Sequence, residues 1–264
     1  MNPNGVITFI TDFGTKDVYA GILKGIVLSI NPDARIVDIT HEIPSHDIMN
    51  ASFMLASAYH YFPVGTIHVV IVDPGVGGGR KNIAVRTERY FFVGPDNGLF
   101  SLVLSREKAL EIREITTAPF IFDTISSTFH GRDVYAPCAG HLSSGKRFNS
   151  IGPELREIVT LSYPEVERKG HTLTGEVVSI DSFGNMVTNI SEDIFRNFTS
   201  GSRFEVYFAT ERFQAVSSRY TDAPLGSSLV LFGSSGYLEI SMNGGSAAGY
   251  FITSTGSTVT VRRS

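Results

Sequence analysis

Hydrophobic and polar positions follow two different patterns along the chain, and the change of pattern divides it into two halves. In the first half, short β-branched runs alternate with segments whose apolar residues recur at helical spacing. The run 6–11 predicts a strand, and the apolar spacing over 17–30 predicts a helix after it. Similar features predict strands at 34–40, 66–72, 82–87, 90–93 and 112–116, and helices at 47–59, 99–110 and 131–143. This order predicts an α/β domain, a mixed sheet covered by helices.

The second half carries short alternating segments that are separated by Gly, Ser and Asn turns. They predict strands at 173–180, 203–208, 228–232, 236–240 and 257–262. Such a pattern is typical of a small all-β domain, either a sandwich or a barrel. We therefore expect an α/β domain over residues 1–150, a polar linker over 151–169, and a smaller all-β domain over 170–264.

Composition narrows the class of protein. The chain has 264 residues, of which 42% are hydrophobic and 18% charged, so it is a packed globular protein and not a disordered one. Its net charge is −4, and no basic run is longer than the two residues of Arg262-Arg263, which argues against a nucleic-acid partner. The single cysteine, Cys138, excludes an internal disulfide and a thiolate metal cage.

No segment predicts a membrane span or a secretory signal. The longest apolar runs, such as 69–72, have the length of a strand and fall far short of the ~20 residues that a membrane helix needs. Residues 1–5 carry no basic region, and Asp12 interrupts the first apolar stretch. We expect a soluble, cytoplasmic protein with no membrane partner.

Candidate chemistry in the first half begins with two carboxylates that follow predicted strands. Asp12 ends the first strand, and Asp73 ends the buried central one, ahead of a glycine-rich loop that closes with Arg80. Ligands of open α/β sheets bind beyond the carboxyl ends of strands, although an aspartate there can also simply cap a turn. Because a strand and not a helix follows the loop, it is not a phosphate-binding loop. It either folds back so that Arg80 faces Asp73 or forms an ordinary surface turn.

Other candidates are a histidine and a set of polar residues in the second half. His130 precedes a predicted helix and is either structural or catalytic. The remaining histidines show no His-x-x-x-His spacing, so no metal site is predicted. The polar turns of the all-β half are either ordinary hairpins or part of a binding site. In the second case they would offer hydrogen-bond donors and acceptors to a zwitterion or a purine edge, and the residues concerned are Asp181, Asn185, Ser234, Glu239 and Asn243.

Six motifs occur in order along almost the whole chain. They are Thr11-Asp-Phe-Gly14, Asp73-Pro-Gly-Val-Gly-Gly-Gly-Arg80, Gly94-Pro-Asp-Asn-Gly98, Phe129-His-Gly-Arg-Asp133, Asp181-Ser-Phe-Gly-Asn185 and Ser234-Ser-Gly-Tyr-Leu-Glu239. Together they resemble the adenosine-forming S-adenosyl-L-methionine (SAM) hydrolases, also called SAM hydroxide adenosyltransferases, which are related to SAM-dependent chlorinases and fluorinases. The resemblance implies an N-terminal α/β domain, a barrel-like C-terminal domain, and a homotrimer. Each SAM site would lie between the N-terminal domain of one subunit and the C-terminal domain of the next.

The resemblance also implies roles for individual residues. The residues expected to hold and activate a water are Asp73, Arg80 and His130. Asp12 would bind the ribose hydroxyls, and Asp17 would approach the methionine amine. The residues expected at the methionine amino and carboxylate ends are Asp181, Asn185 and Ser234, and those expected along the adenosine side are Glu239 and Asn243. No cofactor and no metal are implied, because SAM is the substrate and its sulfonium is already a good leaving group.

The implied reaction is an SN2 attack of water or hydroxide at ribose C5′ that yields adenosine and L-methionine. Relatives that install halide carry a Tyr where Asp73 stands and another where His130 stands, and the fluorinases carry a longer insertion near 87–90 that this chain lacks. Two ionisable groups bind water and repel a halide, which favours hydrolysis. A chlorinase-like halogenase and a non-catalytic SAM- or adenosine-binding module are the alternatives.

Overall fold

The computed structural model describes all residues, 1–264. The chain forms two compact units, residues 1–162 and 163–264, and the boundary falls inside the segment predicted as a linker. Each unit has a sheet and a hydrophobic core of its own.

The N-terminal unit is built on a six-stranded mixed sheet. Its strands are β1 (Val6–Thr11), β2 (Arg35–Thr40), β3 (Ile67–Ile71), β4 (Asn82–Thr87), β5 (Phe91–Pro95) and β6 (Ala109–Glu114). They lie in the order β2-β1-β3-β5-β4-β6. The first four strands in this spatial order, β2, β1, β3 and β5, run parallel, and β4 is antiparallel to both of its neighbours. β1, β3 and β5 are buried along their whole length, which explains their nearly unbroken apolar runs.

Helices cover both faces of this sheet. They are α1 (Tyr19–Ile30), α2 (Ile48–Ala58), α3 (Ser101–Leu104) and α4 (Ala136–Ser143), with a π-helical turn at Gly131–Tyr135 and 3₁₀ turns at Tyr59–Tyr61 and Phe148–Ser150. One core cluster packs α1 and α4 against Ile7 and Phe9, and a second packs α2 and α3 against Ile10. Because alternate strand residues point to opposite faces, the two clusters lie on opposite sides of the sheet. The predicted α/β domain is confirmed.

The C-terminal unit is an antiparallel, barrel-like sheet. Its strands are β7 (Glu167–Lys169), β8 (Thr172–Ile180), β9 (Met186–Ser191), β10 (Phe204–Phe208), β11 (Glu211–Phe213), β12 (Ser228–Phe232), β13 (Tyr237–Met242) and β14 (Thr258–Arg263). They follow the order β11-β10-β14-β8-β9-β13-β12, and β7 pairs with β8. Helices α5 (Glu192–Thr199) and α6 (Ala247–Phe251) and a 3₁₀ turn at Tyr220–Asp222 complete the unit. The predicted small β domain is confirmed as a barrel-like one.

One predicted helix is wrong. The pattern over 99–110 predicted a single helix, but α3 ends at Leu104 and strand β6 already begins at Ala109. Residues 109–114 pair with β4, with Val85 opposite Ile112. Pairing with an open sheet edge decides the conformation of this segment, and such a long-range partner is invisible to local spacing.

No helix in either unit combines the length and the apolar character that crossing a membrane requires. The cytoplasmic location stays a prediction.

Candidate functional site

Three polar residues lie at one edge of the N-terminal sheet. β1 and β3 are parallel neighbours with Thr11 opposite Ile71, so Asp12 and Asp73 both follow the carboxyl ends of adjacent strands. Asn82 opens the antiparallel strand β4 and pairs with Pro95, the last residue of β5. This is the edge at which open α/β sheets bind their ligands.

The glycine-rich loop after β3 folds back and pairs Arg80 with Asp73. Arg80 Nε donates to Asp73 Oδ1 at 2.7 Å, and Nη2 donates to Oδ2, so the contact is bidentate. The side chains are only 11% and 6% exposed. Gly77 has φ +74°, and a Cβ there would lie 2.0 Å from the carbonyl oxygen of Ser127, so the loop requires glycine. A bidentate, charge-assisted pair of this kind is rigid and directional.

His130 joins this pair from the residue before the π-helical turn. Its Nδ1 lies 3.0 Å from Arg80 Nη2 and 3.1 Å from Asn82 Oδ1. Burial, followed by the positive charge of Arg80, lowers the pKa of His130, while Asp73 and Asp133 act in the opposite direction. The imidazole is therefore neutral near pH 7 and can accept a proton. The structure brings Asp73, Arg80 and His130 together; their catalytic roles stay predictions.

Asn82 and Tyr135 complete the cluster that Asp73, Arg80 and His130 form, and no sequence pattern singled out either of them. Tyr135 donates its hydroxyl to Asn82 Oδ1 at 2.7 Å, and Arg80 Nη1 donates to the same oxygen. The Tyr135 side chain is fully buried, and burial raises its pKa well above the ordinary value, so the hydroxyl stays protonated. It lies in a π-helical turn, a conformation that is frequent at functional sites and that only the structure reveals.

Asp12 and Asp17 differ in how firmly they are held. Asp12 Oδ2 accepts a hydrogen bond from the backbone N–H of His46 at 3.0 Å, which orients this carboxylate at the sheet edge. Asp17 is exposed just ahead of α1. The ribose-binding and amine-binding roles of these two residues stay predictions.

Most of the polar residues predicted in the second half line one open cavity of about 680 Å³ in the C-terminal unit. The predicted residues among its walls are Asp181, Asn185, Ser234 and Glu239. The walls also include Phe183, Tyr220 and Met242, which were not predicted. Asn243 is not part of the lining, and its Nδ2 donates to the carbonyl oxygen of Ala223 at 2.8 Å.

Two carboxylates give this cavity its electrostatic character. Asp181 accepts hydrogen bonds from the backbone N–H groups of Phe183 and Asn185 and from Asn185 Nδ2, at 2.8–2.9 Å. Burial and the nearby Asp181 raise the pKa of Glu239, while Tyr220, whose hydroxyl donates to Glu239 Oε2 at 3.2 Å, acts in the opposite direction. A cavity with two carboxylates favours a ligand group that is positively charged, such as an ammonium.

The structure contains neither a cluster of metal-ligating side chains nor an exposed thiol. No group of three or more His, Cys, Asp or Glu side chains is placed to hold a metal ion. Cys138 is fully buried in the core, and burial raises the pKa of its thiol.

Comparisons with known proteins identify relatives along both units. The family model of the SAM hydroxide adenosyltransferase N-terminal domain matches residues 7–152, and the model of the C-terminal domain matches residues 175–260. A protein of Methanocaldococcus jannaschii named (R)-S-adenosyl-L-methionine hydrolase is 40% identical over 71% of this chain and 68% of its own length. One of the same name from Salinispora tropica is 34% identical over 94% of both chains.

Structural and more distant relatives agree with these matches. A solved structure of an uncharacterized conserved protein from Thermotoga maritima superposes with a TM-score of 0.91 at 36% identity, covering 97% of this chain and all of that one. A fluorinase from Actinoplanes sp. is 26% identical over 99% of both chains. The chain therefore belongs to the SAM hydroxide adenosyltransferase family, as its six motifs predicted.

Proposed function

We propose that this protein hydrolyses (R)-S-adenosyl-L-methionine to adenosine and L-methionine. The observation that carries the proposal is the buried cluster of Asp73, Arg80 and His130 at the carboxyl edge of the sheet, in a chain whose relatives are named for this reaction. SAM is the substrate, and no cofactor is part of the proposal.

In this reaction water attacks ribose C5′ in line with the sulfonium. The C5′–O bond forms while the C5′–S bond breaks, and the bonding pair leaves with the sulfur of methionine. One proton of the water must be removed. Both oxygens of Asp73 already accept from Arg80, which leaves the neutral ring of His130 as the better proton acceptor. The positive charge of Arg80 favours hydroxide character in the attacking oxygen.

Substrate binding would use both units. Asp12, at the same edge as the cluster, would accept hydrogen bonds from the ribose hydroxyls, and Asp17 would approach the methionine amine. Asp181, Asn185 and Ser234 would hold the amino and carboxylate ends of methionine, with Glu239 on the adenosine side. Asn243 is bonded to a backbone carbonyl, so its role depends on that bond being exchanged.

The first test is product analysis with matched arginine variants. Purified protein is incubated with (R)-SAM, and the products are separated by chromatography. We expect adenosine and methionine from the wild type and from Arg86→Ala, a control that removes another ion-paired arginine, the one bound to Glu111. Arg80→Ala should lose at least ~100-fold in kcat. Unchanged SAM would indicate a binding module, and 5′-chloro-5′-deoxyadenosine formed in chloride would indicate a halogenase; either would refute the proposal.

We further propose a homotrimer in which each site combines the N-terminal unit of one subunit with the C-terminal unit of the next. Two variants that are each impaired when assayed alone at SAM below KM, Arg80→Ala in kcat and Asp181→Ala in KM, would then complement each other. Mixed after dissociation and reassembly, they should regain part of the wild-type rate, because some sites would carry neither substitution. No gain in rate on mixing, with mixed assembly verified by mass, would contradict shared sites.

A further inference from the structure

We propose that Asn82 is a positioning residue that biases the His130 imidazole toward the tautomer with its proton on Nδ1. In that tautomer Nε2 carries a free lone pair and can accept the proton of the attacking water. The inference rests on the proposed function for its catalytic meaning, but the tautomer itself can be measured without any substrate.

The orientation of the Asn82 amide follows from its partners. Arg80 Nη1 donates to the amide atom facing it, and a guanidinium can only donate, so this atom must be the oxygen. The buried Tyr135 hydroxyl donates to the same oxygen at 2.7 Å. Rotating the amide would turn its NH₂ group toward the guanidinium and bring donors face to face. Asn82 Oδ1 therefore faces its remaining neighbour as an acceptor, and a donor there would share this oxygen with Arg80 Nη1 and Tyr135 as a third hydrogen bond.

That neighbour is His130 Nδ1, which lies between one group that only accepts and one that only donates. Asn82 Oδ1 is 3.1 Å from Nδ1, and Arg80 Nη2 is 3.0 Å from it. A protonated Nδ1 can bond Asn82, whereas a bare Nδ1 can bond only Arg80. The two contacts therefore favour opposite tautomers. Without Asn82, only the contact that places the proton on Nε2 would remain, and the ring could not act as a base through Nε2.

The charged groups that act on the ring are Arg80, Asp73 and Asp133. Asn82 is neutral, so it changes the position of the proton on the ring without adding charge. An aspartate at this position would keep an acceptor of the same size and would add a negative charge beside the imidazole. The variants Asn82→Leu and Asn82→Asp therefore separate the hydrogen bond from the charge.

The direct test is ¹⁵N NMR of protein labelled at histidine, with the His130 signals identified by their loss in His130→Gln. In the wild type, Nδ1 should have protonated, pyrrole-type character, and in Asn82→Leu this character should move to Nε2. Asn82→Asp should restore it to Nδ1. Asn189→Leu is the matched control: Asn189 lies on strand β9 and bonds only backbone groups, so its loss should leave the His130 signals unchanged.

Kinetics supply the second readout. Asn82→Leu should lower kcat by at least ~10-fold with little change in KM, because substrate contacts remain while the base is lost. Asn82→Asp should retain activity and move the acidic limb of the kcat/KM profile to higher pH, since a carboxylate stabilises the imidazolium. The same tautomer in wild type and folded Asn82→Leu would overturn the inference. If the wild type produced no adenosine, the proposed function would fail while the tautomer measurement kept its meaning.

Discussion

His68 is a buried histidine that the proposed chemistry does not use, and it should make the N-terminal unit sensitive to acid. Its side chain has no exposed surface, and its Nδ1 lies 2.8 Å from Thr8 Oγ1. The ring stacks on Phe92 with 5.4 Å between ring centroids and contacts the rings of Tyr59 and Tyr90. Burial lowers the pKa of His68 to about 3.

The direction and size of the effect follow from linkage. In the unfolded chain a histidine has a pKa of about 6.5, so on acidification the unfolded state takes up the proton first. The contribution of the neutral, buried His68 ring to stability is therefore fully present above pH 6.5 and is lost as the pH falls toward 3. At pH 5 the pH lies about 1.5 units below the pKa of the unfolded histidine. At about 1.36 kcal/mol per unit, the folded state loses about 2 kcal/mol of stability.

The test compares wild type with His68→Asn, which can still hydrogen-bond Thr8 but does not titrate. Urea unfolding is measured at pH 8 and pH 5 at one protein concentration, by circular dichroism and by tyrosine fluorescence, since the chain has ten tyrosines and no tryptophan. On going from pH 8 to pH 5, the unfolding free energy of the wild type should fall by about 2 kcal/mol more than that of the variant. All other histidines are shared and cancel. A difference that does not change with pH would refute the reasoning.

Three further outcomes are expected. The acidic limb of kcat/KM should have an apparent pKa below 6.5, since burial and Arg80 lower the pKa of His130; a midpoint above 7 would contradict this. Gly77→Ala should lower the unfolding free energy by at least about 1 kcal/mol, because φ is +74° and the new Cβ would overlap the Ser127 carbonyl; an unchanged urea midpoint would count against the loop geometry. Asp181→Ala should raise KM for SAM by at least about 10-fold with a smaller change in kcat, because a carboxylate with three hydrogen bonds is lost from the cavity wall; an equal KM would remove Asp181 from the binding site.

Strong local patterns predicted much of the fold. β1, β4 and β12 have the predicted bounds, because their β-branched and apolar runs have a single compatible structure. Helix α5 was missed although its signals are present: Ser191 caps the helix by accepting from the Ile194 N–H, and Glu192 and Asp193 occupy the first turn. These residues follow directly on a polar turn and strand, which concealed the change of periodicity.

The candidate site was predictable where its residues are close in sequence. Asp73 and Arg80 are joined by one short glycine-rich loop, and their pairing was an open alternative from the sequence. The contact between Asn82 and His130 spans 48 residues and depends on the antiparallel placement of β4 beside β5. No local pattern encodes that placement, so the acceptor beside the histidine became visible only in the structure.

The most direct test of the proposed reaction is hydrolysis of SAM in water enriched in ¹⁸O. Attack of water at C5′ places the solvent oxygen in the product adenosine and none in methionine. We predict that mass spectrometry will find one ¹⁸O atom in the 5′-hydroxyl of adenosine, formed at a rate that falls with Arg80→Ala. Adenosine without ¹⁸O, or no adenosine at all, would contradict the account.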